Sequence, residues 1–353
     1  MKRFALFISI IALFAAGSTA VAGPQKVLLK TPLCFSTSLP VLGDTIPRLA
    51  KDMEEVSDGN IIIKYYEPGK LIPPFEILSA VSQGKVNAGF GSAAYWQGKI
   101  PAAALFSAIP FGPEPDEYMA WLFHGNGMKL YQEMYDTAGF NVKVLPYAMI
   151  SAETSGWFSR PIEKLEDLQG LKMRFFGLGG TVMQKLGVSV SLMPAGEIFQ
   201  ALEKGVIDAT EFSFPAIDQK LGFSKVVKYN YYPGWHQPAT LLELLINKDT
   251  WNGLTPGQQR QIEMVTMANV VTTLAYCEAI QGAAIKDNVQ NRGVKNMYWS
   301  KEMLQAFKGA WDQVVEEQKQ DPAFTKIWND LEAFRADYAY WKSLGFLPRE
   351  THH

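Results

Sequence analysis

One segment of the chain occurs twice. Residues 76–88 read EILSAVSQGKVNA and residues 197–209 read EIFQALEKGVIDA, with Glu76, Ala80, Gly84 and Asn87 of the first answering Glu197, Ala201, Gly205 and Asp208 of the second. In each copy apolar residues three and four apart predict a short helix. A glycine able to take the left-handed C-terminal conformation ends it, and a short strand follows. Such a helix-to-strand unit belongs to an α/β layer. Two copies about 120 residues apart imply two similar lobes, because a solenoid would repeat every 20 to 50 residues or so. At 353 residues the chain is long enough for both.

The flanking sequence agrees. Lys26 to Leu33 and Ile61 to Tyr66 read as strands, and between them Ile46, Leu49, Ala50 and Met53 have helical spacing up to a stop at Asp58-Gly59. Lys143 to Tyr147, Leu171 to Phe175 and Val206 to Glu211 are strand candidates in the second half, and Gln258 to Gln290 reads as one very long helix. Ligands of alternating α/β sheets bind beyond the strand C-termini. That directs attention to Gly89–Trp96 (GFGSAAYW) and Thr210–Pro215 (TEFSFP).

Composition narrows the function classes. The chain is 48% hydrophobic and 19% charged, as a globular protein is, and its net charge of −2 offers no drive toward nucleic acid or anionic lipid. Lys2 and Arg3 precede an apolar run from Phe4 to Ala16, and Ala20-Val21-Ala22 supplies small residues for cleavage, so residues 1–22 read as a secretory signal peptide. That run is well short of the roughly 20 residues needed to span a bilayer. Without residues 1–22 the balance becomes 31 basic against 35 acidic residues, or −4. The two cysteines, Cys34 and Cys277, read as buried thiols, although an oxidising compartment leaves a disulfide open.

Signatures of catalysis are missing: there is no G-x-S-x-G, Walker A, H-E-x-x-H or C-x-x-C motif. His352 and His353 are terminal, and His236, among aromatics, reads as structural. Gly177-Leu178-Gly179-Gly180 lacks the third glycine of a dinucleotide loop. It still offers a helix N-terminus that would suit a carboxylate.

Several ordered motifs carry a family resemblance. GWF (156–158), LEDLQGLKMRFFGLGG (165–180), GEIFQALEKGVIDATEF (196–212) and YYPGWHQP (231–238), together with YWQGK (95–99) and IPFGP (109–113), resemble the DctP-type solute-binding subunit of TRAP transporters, in the branch of 2-oxo acid and mannitol/chloroaromatic binders. The resemblance covers nearly all the chain after residue 22. It implies an α/β fold of the two-lobed periplasmic binding protein type (type II-like) with long C-terminal helices. Implied limits are residues 23–147 plus about 233–265 for lobe one, 148–232 plus about 266–300 for lobe two, and 301–353 for a C-terminal helical extension. A periplasmic location and delivery to membrane permease subunits are implied too. Some members of the branch dimerise through a C-terminal helix, which makes a homodimer a further implication.

The resemblance also assigns residues. Arg174 is placed as the two-pronged clamp on a ligand carboxylate, a role that fits a planar guanidinium and not an ammonium. Between Met173 and Phe175 its charge would be costly unless a ligand or an internal acid neutralised it. Arg174→Ala is accordingly expected to abolish binding with little loss of folding. Glu153, Glu211, Phe212 and Gln237 fall on the positions that hold a ligand-bridging cation, although Glu153 stands where glutamine is usual and Gln237 where glutamate is. Either Na⁺ or Ca²⁺, or an ammonium on the ligand, would balance the two carboxylates, so a 2-oxo acid and an amino acid both remain open. No cofactor is otherwise required. An aromatic wall of Tyr95, Trp96, Phe111, Trp157, Phe212, Phe214 and Trp235, about half of it touching ligand, is expected to set specificity, with Phe175 a further ligand-binding candidate; Phe212 and Phe214 could make room for a ring, which keeps an aromatic carboxylate open as well. Two alternatives are a secreted enzyme using Glu153 and Glu211 as acid and base, and a sensor partner that presents ligand to a receptor.

Overall fold

The computed structural model describes residues 26–347, so the expected signal peptide and the terminal histidines lie outside the described residues. In chain order the strands are β1 (Val27–Pro32), β2 (Ile61–Tyr66), β3 (Ala88–Gly91), β4 (Val142–Ile150), β5 (Gly156–Phe158), β6 (Lys172–Arg174), β7 (Ser189–Ser191), β8 (Ala209–Thr210), β9 (Tyr229–Tyr232), β10 (Thr240–Asn247) and β11 (Lys295–Tyr298). In lobe one β1 and β2 pair in parallel, while β10 runs antiparallel between β3 and β4. A parallel bridge from Leu33 to Phe90 links the two sets. Lobe two is one sheet of order β11-β9-β5-β8-β6-β7.

The sequence repeat is a structural one. Helices Ile77–Ser82 and Ala195–Glu203 lead into β3 and β8, and Gly84 (φ 69°) and Gly205 (φ 67°) take the same left-handed turn between them. The strand expected over Val206–Glu211 shrinks to β8, because the amides of Val206 and Ile207 both return to the Ala201 carbonyl and close the helix. Strand β10 was not anticipated. All eight of its residues are buried, so it lacks the alternation that marks a strand with one wet face.

Two helical features join the lobes. The expected long helix runs unbroken over Pro256–Arg292, started by Thr255 and Gln258 in a reciprocal cap. Its Asn269 donates to the Tyr147 carbonyl, Thr273 accepts from the Met149 amide, and Tyr276 donates to Asp44, all in lobe one. From Gln281, which accepts from the Ala216 amide, its partners belong to lobe two. Lobe-one partners thus extend past the limit expected near residue 265. Beyond it, helix Lys301–Gln318 packs on helix Gly177–Lys185 of lobe two. Helix Pro322–Gly345 returns to lobe one, where Asp330 accepts from Trp121 and Arg335 pairs with Glu117. Trp311 and Trp328 are buried edge to face between these two helices, but Trp341 (57% exposed), Tyr340 and Leu344 are not covered. Cys34 and Cys277 are separate buried thiols.

Glu243, in the middle of β10, accepts from the Trp96 indole and from the Tyr131 and Tyr135 hydroxyls, and among the described residues no basic side chain pairs with it. Burial outweighs these three donors and pushes its carboxyl up to about 7. A carboxyl raised in the folded state stabilises while protonated. Its contribution is complete below the unfolded value near 4.5 and is lost as pH rises toward about 7. The stability advantage of wild type over Glu243→Gln is expected to shrink by roughly 3 kcal/mol between pH 4.5 and pH 8. Urea unfolding of both proteins at the two pH values measures this, and equal differences would refute it.

Candidate functional site

The chain crosses between the sheets twice, over residues 151–155 and 233–239. The crossings touch: the Glu153 amide donates to the Gln237 carbonyl (3.2 Å), and the Ser155 amide to Tyr231 (2.7 Å). Gly234 permits the approach, since a Cβ there would stand 2.1 Å from the Glu153 carbonyl oxygen. Beside the crossings lies a cavity of about 20 Å³, about what one ordered water needs. Phe35, Ser92, Tyr95 and Thr240 line it from lobe one. Facing them are Arg174, Phe176, Phe212 and Ser213, with Glu153 and Gln237 from the crossings.

Arg174 ends β6 with its side chain 1% exposed. Its Nη1 donates to both the carbonyl oxygen and Oε2 of Glu211, the latter at 2.9 Å, and its Nε reaches the Met193 carbonyl at 3.4 Å. The Phe212 and Phe176 rings lie 5.1 and 6.0 Å from its Cζ. Nη2 has no hydrogen-bond partner among the described residues, although the residue lines the cavity. An internal acid therefore neutralises the guanidinium at Nη1, and Nη2 is the nitrogen left for another partner.

Glu211 is fully buried. Its Oε2 also accepts from the Phe176 amide (3.1 Å), where helix Gly177–Lys185 begins. The glycine-rich helix start thus does meet a carboxylate, but the protein's own. Gly179 matters to this placement, because a Cβ there would fall 2.7 Å from the Phe175 ring and 2.8 Å from His236. The other oxygen, Oε1, has no hydrogen-bond partner and lies 3.6 Å from His236 Nε2.

Four buried side chains around this point have unmet polar atoms: Glu153 Oε2, Glu211 Oε1, Gln237 Oε1 and both ring nitrogens of His236. Each such atom costs about 1–3 kcal/mol when left unpaired. Among the described residues the Glu153 carboxylate accepts only from Ser213, and burial, then the charges of Glu211 and Asp218, push its carboxyl well above the usual carboxylate range. A cation between the carboxylates would reverse that pressure and use the idle oxygens. The two carboxylate oxygens of Glu153 and Glu211 and the amide oxygen of Gln237 are donors of the kind a hard cation takes.

The expected aromatic wall is mostly elsewhere. Tyr95 and Phe212 reach the cavity, but Trp96 donates its indole to Glu243, and Trp157 gives its own to Asp218 (2.7 Å). Phe214 is buried at the start of helix Pro215–Leu221 and makes no part of the lining. Phe175 points opposite to Arg174 and Phe176, as alternation along an extended segment dictates. It joins Trp235, Phe111 and Phe307 in a stack behind the cavity. Phe35, Phe176 and His236 were not anticipated. Alternation from Arg174 points to Phe176, and adjacency to Gln237 to His236, whereas Phe35 carries no local signal.

Two lobes joined by paired crossings, with a buried arginine and idle acidic oxygens at the closed junction, define a clamshell solute-binding protein. The chain belongs to the bacterial extracellular solute-binding proteins of family 7, which match residues 36–321. It is 36% identical over 344 residues, 96% of this chain and 94% of the relative, to a monocarboxylate 2-oxoacid-binding periplasmic protein of Nostoc. Among solved structures, a TRAP transporter solute-binding protein of Bordetella bronchiseptica, a mixed-occupancy dimer with copurified calcium and picolinate, superposes with a TM-score of 0.88 at 30% identity, covering 91% of this chain and 95% of that one. Another from Pseudoalteromonas atlantica, with bound sodium and pyruvate, gives 0.87 at 28%, covering 91% and 97%. The family and these neighbours are binding proteins, so the enzyme alternative built on Glu153 and Glu211 is set aside.

Asp218 is pushed up to about 8 by burial, and the Trp157 indole is its side-chain donor. Trp157→Phe is expected to cost about 1–3 kcal/mol in chemical denaturation, and to leave ligand affinity within about twofold by calorimetry, because Trp157 does not line the cavity. A loss above tenfold would return Trp157 to the site.

Proposed function

We propose that this protein captures a small 2-oxo monocarboxylate together with a cation between its lobes and delivers it to the membrane permease of a TRAP transporter, after export to the periplasm. The single observation that carries the ligand assignment is Arg174 lining a small cavity with Nε and Nη1 engaged and Nη2 left over, and with the idle oxygens of Glu153, Glu211 and Gln237 around it. The ligand carboxylate takes the guanidinium. A cation shared by the acids and the ligand oxygens offsets the negative charge. A relative that binds monocarboxylate 2-oxo acids supports the oxo acid; an amino-acid ammonium, with three N–H donors for the three orphaned oxygens, is the competing match. Phe176 and Phe212 line the cavity with Arg174, so a small acid fits better than the ring-bearing alternative. The uncovered Trp341, Tyr340 and Leu344 support a homodimer, which sedimentation velocity tests: a monomer at micromolar concentration refutes it.

The test compares pyruvate with alanine, which differ at the oxo or ammonium position, by calorimetry with and without chelator. Pyruvate is expected to bind only with cation present and alanine not at all. Tight cation-free binding of alanine would overturn the reading. Arg174→Lys is the informative variant, expected to weaken pyruvate about 10- to 100-fold through loss of the two-pronged geometry. Arg174→Ala is not the mild change first expected. It leaves the buried Glu211 carboxylate without its partner, a loss of about 3–5 kcal/mol in folding.

A further inference from the structure

We infer that Asp44 and Tyr276 hold a strained turn at Pro40–Leu42 that fixes Leu42 as the wall limiting how long a bound acid can be. The inference deepens the proposed function and rests on it for the class of ligand. Val41 is buried and has φ 62°, a left-handed conformation that a β-branched residue rarely adopts. The Leu42 amide donates to the Pro40 carbonyl at 2.6 Å, so the bond closes over Val41 alone, as a γ-turn of the strained, positive-φ kind. Such strain persists only where neighbouring groups enforce it. Here the Val41 amide donates to Asp44 Oδ1 (2.7 Å), and the Val41 carbonyl accepts from the Thr45 hydroxyl (2.9 Å). Asp44 Oδ2 accepts from the Tyr276 hydroxyl at 3.1 Å, on helix Pro256–Arg292. An aspartate just before a helix would ordinarily cap it, but Asp44 gives helix Thr45–Val56 no side-chain cap. Its two oxygens instead tie the turn to the long helix.

The turn stands at the cavity. Leu42 lines it beside Phe35, and Gly43 lets the turn press onto the segment that carries Phe35, since a Cβ there would stand 1.9 Å from the Ser36 carbonyl oxygen. The Leu42 carbonyl also accepts from the Tyr147 hydroxyl at 3.4 Å. Every group that holds Leu42 thus comes from lobe one, or from the part of the long helix whose partners lie in lobe one. This wall is therefore set before the lobes close. Arg174 takes the carboxylate from lobe two, so the far end of the acid meets Leu42 and Phe35. With only about 20 Å³ free, each added methylene has to displace that apolar wall. A rigid Leu42 resists, and a turn released from Asp44 yields.

The experiment measures, by calorimetry with cation present, the affinities of pyruvate and of its longer homologue 2-oxopentanoate. Wild type is compared with Asp44→Ala, Tyr276→Phe, Asp44→Asn and Leu42→Ala. Wild type is expected to favour pyruvate by about tenfold or more, and Asp44→Ala to cut that preference about tenfold. Tyr276→Phe is expected to cut it about threefold. Asp44→Asn keeps an oxygen for the Val41 amide and an N–H for the Tyr276 hydroxyl, so the preference returns to within about twofold of wild type. Leu42→Ala leaves the bonds of the turn in place and shifts the preference toward 2-oxopentanoate directly. Loss of a merely structural contact would lower both affinities by one factor. An unchanged ratio in Asp44→Ala and Tyr276→Phe, or in Leu42→Ala, therefore overturns the inference. Should Asp44→Ala fail to fold, Tyr276→Phe carries the test, since it removes a single hydroxyl. A wild type that binds both acids equally also overturns the inference and leaves the proposed function standing. A wild type that binds neither acid with any cation sinks the proposed function, and the inference with it.

Discussion

The buried pair of Arg174 and Glu211 is the interaction on which the site depends. Neither charge could stay in the interior alone. Their bond at 2.9 Å joins the end of β6 to the residue just after β8, so two neighbouring strands of lobe two finish with opposite charges locked together. The Phe176 amide and the start of helix Gly177–Lys185 add donors to the same carboxylate. This arrangement uses one edge of the guanidinium and one oxygen of the acid. Nη2 of the guanidinium and Oε1 of the acid are left over, beside a cavity that Arg174 lines.

The sheets decide where that receptor stands. Because each repeat copy ends in a strand, β3 and β8 carry Gly89–Trp96 and Thr210–Pro215 to facing positions, and Ser92, Tyr95, Phe212 and Ser213 all meet at the cavity. This much followed from the sequence, by the rule that ligands sit beyond strand C-termini. The acids came from the family resemblance and not from spacing. Glu153 and Gln237 lie on the two touching crossings and Glu211 just after β8, so it is the fold that brings them together.

What could not be read was the direction of large side chains. Trp96 and Trp157 sit in the expected segments, yet each indole N–H is drawn to a buried carboxylate, Glu243 or Asp218, that lies far away in sequence. An aromatic residue next to a site is not thereby in it. Strand β10 was invisible for a related reason: burial on both faces removes the alternation that would announce it, although it forms the centre of lobe one. Phe176 was legible in principle, since period two from Arg174 reaches it directly.

Closure and opening rest on few bonds. A cavity of about 20 Å³ cannot admit even a small acid unless the lobes separate. Three connections must bend when they do: the crossings at 151–155 and 233–239, and helix Pro256–Arg292 where its partners change from lobe one to lobe two. That change falls between Tyr276 and Gln281, at Cys277, whose thiol meets Ser151 on the first crossing. Bending concentrated there lets the sheets move as rigid bodies, the usual form of hinge closure. The C-terminal helices, one on each lobe, then act as a tether that limits how far the lobes part. Glu153, on the first crossing, lies close to the pivot and moves least. Arg174 and its partner Glu211 both belong to lobe two, so their bond stays assembled in the open form, and closure brings Phe35, Ser92 and Tyr95 of lobe one toward it.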